Sequence, residues 1–93
     1  MRLIRNPDVE AAPLKGELLL FSGKTSKFFV MNETAAFLWE HLASPTDDQQ
    51  LAAQLQAAFS GVSTEQALAD VRNTVQEMLA QGLIREDDAP TTG

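Results

Sequence analysis

Cysteine is absent from the 93 residues, which removes disulfides, thiol chemistry and thiolate metal sites. That absence suits a reducing compartment, so a cytoplasmic protein is expected. No apolar run approaches the roughly 20 residues that a bilayer-crossing helix needs. Nor is the start Met1-Arg2-Leu3-Ile4-Arg5 followed by an apolar stretch of signal-peptide length, so no membrane partner is expected. Cations are few and unevenly placed. Arg2, Arg5, Lys15, Lys24 and Lys27 come early, Arg72 and Arg85 come late, and none lies between Phe28 and Val71. A nucleic-acid reader displaces counterions from phosphate with clustered Lys and Arg. A chain of net charge −6 with an empty middle offers no such cluster, and no nucleic-acid partner is expected.

Catalytic constellations are missing too. His41 is the only histidine, and no second His, Cys or close carboxylate pair stands at ligand spacing, so a metal site has too few ligands. It is expected as a solvated residue near a helix C-terminus. Ser22, Ser26, Ser60 and Ser63 fall in loops or caps with no base placed by a recognisable motif. The glycines form no phosphate loop, and the Asp-Ser-Leu signature of carrier proteins is absent. Asp47 and Asp48 open a helix, where favouring its dipole accounts for them. Neither an enzyme nor a cofactor is expected.

What is present is an ordinary globular composition, 44% apolar and 22% charged, with room for one modest core. The first third reads as strands. Val9 to Pro13 is a weak edge candidate bordered by prolines. Glu17-Leu18-Leu19-Leu20-Phe21 and Lys27-Phe28-Phe29-Val30-Met31 flank a loop of hairpin length, Ser22 to Ser26. In the last strand alternation sends Phe29 and Met31 to one face and Phe28 and Val30 to the other. Both faces are apolar, and such a strand needs cover on both. For Phe28 and Val30 two readings stand, ordinary core or the wall of a groove.

From Asn32 the period becomes helical. Asn32 is placed to cap a first helix whose buried stripe is Ala35, Leu38, Trp39 and Leu42, with Trp39 in the core. After Pro45, Thr46-Asp47-Asp48-Gln49 has the capping-box form, with the Thr hydroxyl as cap of a second helix facing inward through Leu51, Leu55, Ala58 and Phe59. Gly61 is positioned to end it in the left-handed conformation. Ser63-Thr64-Glu65-Gln66 repeats the box for a third helix with the stripe Ala67, Leu68, Val71, Val75, Met78 and Leu79, closed by Gly82. Leu83 and Ile84 are expected to tuck under the core. The fold class is therefore α+β and winged-helix-like, an N-terminal three-stranded antiparallel sheet followed by a three-helix bundle. Residues 1–85 form the domain, and 86–93 read as a disordered polar tail.

The string Phe29-Val30-Met31-Asn32-Glu33-Thr34-Ala35-Ala36-Phe37-Leu38-Trp39-Glu40-His41-Leu42 resembles the aromatic-x-Leu-Asn-x-Thr-Ala/Gly-x-x-Ile-Trp-x-x-Leu core of PqqD-like proteins. Asp70-Val71, Met78 and Gly82-Leu83-Ile84 look like that family's closing pattern, so the likeness runs from about Val9 to about Arg85. The resemblance implies a recognition element for ribosomally synthesised, post-translationally modified peptides. Such a domain binds the leader of a precursor peptide and presents it to a modifying enzyme, such as a radical SAM protein, a cyclodehydratase or a leader peptidase. It also implies that the leader adds as a strand along Lys27, Phe28, Phe29, Val30 and Met31 and packs against Asp70, Asn73, Thr74, Glu77 and Met78 of the third helix. Met31 stands where the family usually has Leu, and Thr74 where a large apolar residue is common, which points to a more polar or differently shaped pocket.

Physics supports that reading apart from the resemblance. An exposed strand edge offers unpaired amides and carbonyls that strand addition satisfies, while alternate side chains enter pockets. Lys24, Lys27 and Arg72 are the cations available to meet acidic groups on a leader. Two rivals remain: a DNA-binding winged helix, with Arg72 as the lone cation of its second and third helices, and an adaptor subunit whose groove a partner's own strand fills. Exchange of the N-terminal strands between copies would give a strand-swapped homodimer.

Overall fold

The apolar runs Glu17–Ser22 and Lys27–Met31 and the edge segment Val9–Leu14 build the three sheet strands, and two three-residue segments that carry no period of their own join the chain's ends. The computed structural model describes residues 2–15 and 17–87. In chain order the elements are β1 (Leu3–Arg5), β2 (Val9–Leu14), β3 (Glu17–Ser22), β4 (Lys27–Met31), α1 (Glu33–His41), α2 (Asp48–Ala58), α3 (Thr64–Ala80) and β5 (Ile84–Glu86). The sheet order is β2-β3-β4, antiparallel throughout, with Val9 opposite Ser22, Leu20 opposite Phe29 and Phe21 opposite Phe28. This is the expected α+β, winged-helix-like layout.

The short pair was not expected. β1 and β5 run antiparallel with Leu3 opposite Glu86. On its other side Leu3 exchanges two backbone hydrogen bonds with Thr46, and the Asp87 N–H donates to the Arg2 carbonyl at 2.7 Å. Glu86 therefore belongs to a strand, and the ordered chain passes the boundary expected at Arg85. Residues 88–93 of the expected tail lie outside the described residues.

The helices follow their sequence signals with small shifts. The Asn32 side chain accepts from the Ala35 N–H at 2.8 Å and caps α1, whose Ala35, Leu38 and Trp39 are buried. Arg5 closes the other end: its Nε–H donates to the Trp39 carbonyl at 2.7 Å, and its guanidinium lies 4.8 Å from the centre of the Trp39 ring. Such donors satisfy the carbonyls that a helix leaves free at its C-terminus. The cap of α2 sits one residue later than expected. Asp47 accepts from the Gln50 N–H at 2.8 Å, while the Thr46 hydroxyl donates to Gln50 Oε1. Thr46 is held by β1 instead, which leaves the capping position to Asp47. Ala52 joins Leu51 and Leu55 on the inner face, and Ala58, expected there, is exposed. Ser63 caps α3 as expected, but Gln66 reaches forward to Asp70 rather than back to close the box. Gly61 and Gly82 take φ of +81° and +73°, the left-handed turn that other residues adopt at a cost.

The core gathers Leu20 from the sheet, Leu38, Trp39 and Leu42 from α1 and its end, Leu51 and Leu55 from α2, and Val71, Val75 and Met78 from α3. Leu3, Leu83 and Ile84 close it beneath, the last two as expected. The sheet's core face carries Leu18, Leu20, Phe29 and Met31, and α1 covers it.

Candidate functional site

Strand β4 is the last of its sheet, hydrogen-bonded to β3 on one side and, among the described residues, to no strand on the other. Alternation holds as expected: Phe29 and Met31 are half-buried against the core, whereas Phe28 and Val30 are 64% and 57% exposed. Of the two readings for that pair, core is thereby excluded. Beside the free rim of β4 runs a groove of about 530 Å³, bounded across from the strand by the C-terminal half of α3. That size lies within the roughly 300–1,000 Å³ usual for ligand clefts.

The groove has an apolar floor and a polar rim. Ala35, Met78 and Leu83, all nearly buried, line its bottom, and Asn32, Thr74, Glu77 and Gln81 border it. Its depth comes from small side chains. Ala35, Thr74 and Ala80 stand where longer apolar groups would fill the space between strand and helix. Glu77 is the one charged residue among those lining it. A cleft with an apolar floor and one rim of unpaired strand backbone has the chemistry to take an extended chain: backbone pairing along the strand, a side chain into the floor, a cation near Glu77.

Of the eleven residues expected at the site, seven line this groove: Phe28, Phe29, Val30 and Met31 from β4, and Thr74, Glu77 and Met78 from α3. Lys27 stands at the start of β4, exposed and paired in register with Ser22. Asp70 and Asn73 share the helix face of Thr74 and Glu77 but do not line the groove, and Asp70 is bonded by the Gln66 amide at 2.9 Å. Arg72 sits elsewhere. Its Nε–H donates to Asp48 Oδ2 at 2.9 Å, over a second hollow of about 280 Å³ lined with Leu3, Val75, Gln76 and Leu79. That hydrogen bond from Arg72 holds the Asp48 carboxyl below the usual carboxylate range. Of the three cations expected to meet an acidic guest, Arg72 is thus engaged within the chain, on the far flank of α3.

Sequence reasoning missed Asn32, Ala35, Ala80 and Gln81 as lining residues and placed Leu83 only in the core. Gln81 follows Glu77 by four positions and Thr74 by seven, so helical spacing alone could have found it. Asn32 was hidden by its capping role, which it also performs. His41 is half-buried rather than solvated, its ring 4.5 Å from that of Phe37, which packs edge-on against Phe59. Among the described residues no three His, Cys, Asp or Glu side chains converge as a metal cluster, and no helix is long and apolar enough to cross a membrane.

The fold and groove place the chain in the class of small winged-helix-like domains with a groove along one edge of the sheet. Residues 17–84 match the model of the family described as coenzyme PQQ synthesis protein D (PqqD), and the chain belongs to that family. Two solved structures share the fold. One, described as TbiB1 in complex with the TbiA(beta) leader peptide, is 17% identical, with a TM-score of 0.79 over 88% of this chain and 94% of that one. Another, lasso peptide synthetase B1 complexed with the leader peptide, is 19% identical, with a TM-score of 0.77 over 89% of this chain and 96% of that one. A comparison with curated proteins gives no match.

Proposed function

We propose that this chain binds the leader segment of a ribosomally made precursor peptide by adding it as a fourth strand beside β4, and presents it to a modifying enzyme. The observation that carries the reading is the rim of β4, unpaired among the described residues, lying along an apolar-floored groove. Backbone pairing supplies affinity with little sequence preference, and the groove supplies the choice of guest. Membership of the PqqD family and a fold shared with two proteins solved with leader peptides support it. The contact set is Phe28 to Met31 with Thr74, Glu77 and Met78, and Lys27, Asp70 and Asn73 flank it. The chain acts as a binding and delivery domain in the cytoplasm and catalyses no step itself. Its enzyme is a radical SAM protein, a cyclodehydratase or a leader peptidase.

The test is a fluorescence-anisotropy titration of the purified chain with a labelled leader encoded beside its gene. Saturable binding that a proline at Val30 weakens about tenfold or more supports the reading. Absence of binding to every neighbouring precursor leader would overturn it.

A further inference from the structure

We infer that the guest strand is read on both of its faces, so that the preferred peptide carries apolar side chains at consecutive positions rather than at alternate ones. The inference rests on the strand-addition reading above and extends it from the groove to the opposite side of the sheet.

Three large apolar side chains are prominently exposed among the described residues, and two of them, Phe28 and Val30, sit on the open strand. Both point away from the floor that Phe29 and Met31 face. Their partners in register are Phe21 and Leu19, and the Phe21 ring centre lies 4.7 Å from that of Phe28. Phe28 borders the groove and also a shallow hollow of about 290 Å³ on the outer face, lined by Glu10, Ala12, Leu19 and Phe21 among others. Groove and outer face are therefore continuous around the rim of β4, and α1 covers only the Leu20 side.

A strand with one dry and one wet face alternates apolar and polar residues, whereas a strand covered on both reads as a continuous apolar run. β4 has the second pattern and cover on only one side. A guest laid along it sets every second side chain outward, opposite or diagonal to Phe28 and Val30 and about 4.5–5.5 Å away at the closest pairs. Aromatic or β-branched residues there complete an apolar row from Leu19 and Phe21 across β4 onto the guest. The occupant of the outer face is thus the guest's own outward side chains. Each such pair is worth about 1.4- to fivefold in affinity.

The experiment selects from a display library of random twelve-residue peptides on the full chain, in parallel with F28T/V30T, which keeps strand propensity, and T74W, which fills the groove. Wild type is expected to enrich runs of three consecutive apolar residues. F28T/V30T is expected to keep the groove anchor, randomise its neighbours and bind the best wild-type peptide about two- to twenty-five-fold more weakly. Apolar residues at alternate positions only, or unchanged affinity in F28T/V30T, would overturn two-sided reading while strand addition stood. So would a dimer in light scattering that F28T/V30T dissolves, which would give the outer face to a second copy. Selection of no peptide, or T74W binding the selected peptides as well as wild type, would remove the groove reading and this one with it.

Discussion

Strands β2 and β4 both border the three-stranded sheet, and their residues treat that exposure in opposite ways. β2 carries Glu10 and Pro13, with Lys15 just beyond its end, and almost all of it is exposed. Pro13 has no N–H to offer a neighbouring strand, and charges on an edge discourage pairing. β4 is Lys-Phe-Phe-Val-Met, with no proline and no charge after its first residue, and an apolar-floored groove runs beside it. One edge is blunted against partners and the other is left fit for one. Open backbone alone would be a liability; beside a groove that chooses among guests it becomes a recognition device.

Substitutions can break or sharpen that contrast. The largest effect belongs to the covered face. Leu20→Ala should cost about 2–5 kcal/mol in a denaturant titration, while Phe28→Thr across the same sheet should cost under about 1 kcal/mol. Equal losses would mean that the outer face is packed as firmly as the inner one. Next comes moving the device of β2 into β4. Val30→Pro should weaken leader binding about tenfold to a hundredfold, with helical circular dichroism retained. Binding within threefold of wild type in a folded V30P protein would show that the guest does not use this edge. Thr74→Trp should weaken binding about tenfold by occupying the groove, with the melting temperature nearly unmoved. An unaffected dissociation constant would shift the site away from α3.

The smallest effect lies on the far flank of α3. Arg72 and Asp48 form an exposed pair, so Asp48→Asn should cost under about 1 kcal/mol and leave binding intact. The Asp48 carboxyl is depressed by its hydrogen bond from Arg72, so its contribution is present above the unfolded value of about 3.9 and fades as pH falls through the lower folded value. Melting curves of wild type and D48N should therefore converge in acid. A gap that widened below pH 4 would reverse the sign.

Periodicity and caps made the three sheet strands and three helices legible, because each spans enough residues to show its own repeat. β1 and β5 escaped since three residues carry no period, and their pairing joins positions about eighty apart in sequence. The strand half of the site was visible in the two-faced apolar run at Phe28 to Met31. On α3 the needed signal was the choice of face. Thr74, Glu77, Met78 and Gln81 follow the i, i+3, i+4, i+7 rule toward the groove, and Arg72, Val75, Gln76 and Leu79 follow it toward the second hollow. By that spacing Arg72 and Glu77 fall on different faces of α3. Asp70 and Asn73 pass the same rule, and what excludes them is position along the helix, which depends on where β4 ends in space.

The stitch between Arg2 and Asp87 holds both described ends side by side. A unit whose two ends leave together can be spliced into a surface loop of another polypeptide without stretching either one. It can equally be tethered by a single short linker at whichever terminus is convenient. Sequences of this kind can thus travel as free chains or as inserts, with the same groove carried intact in either setting.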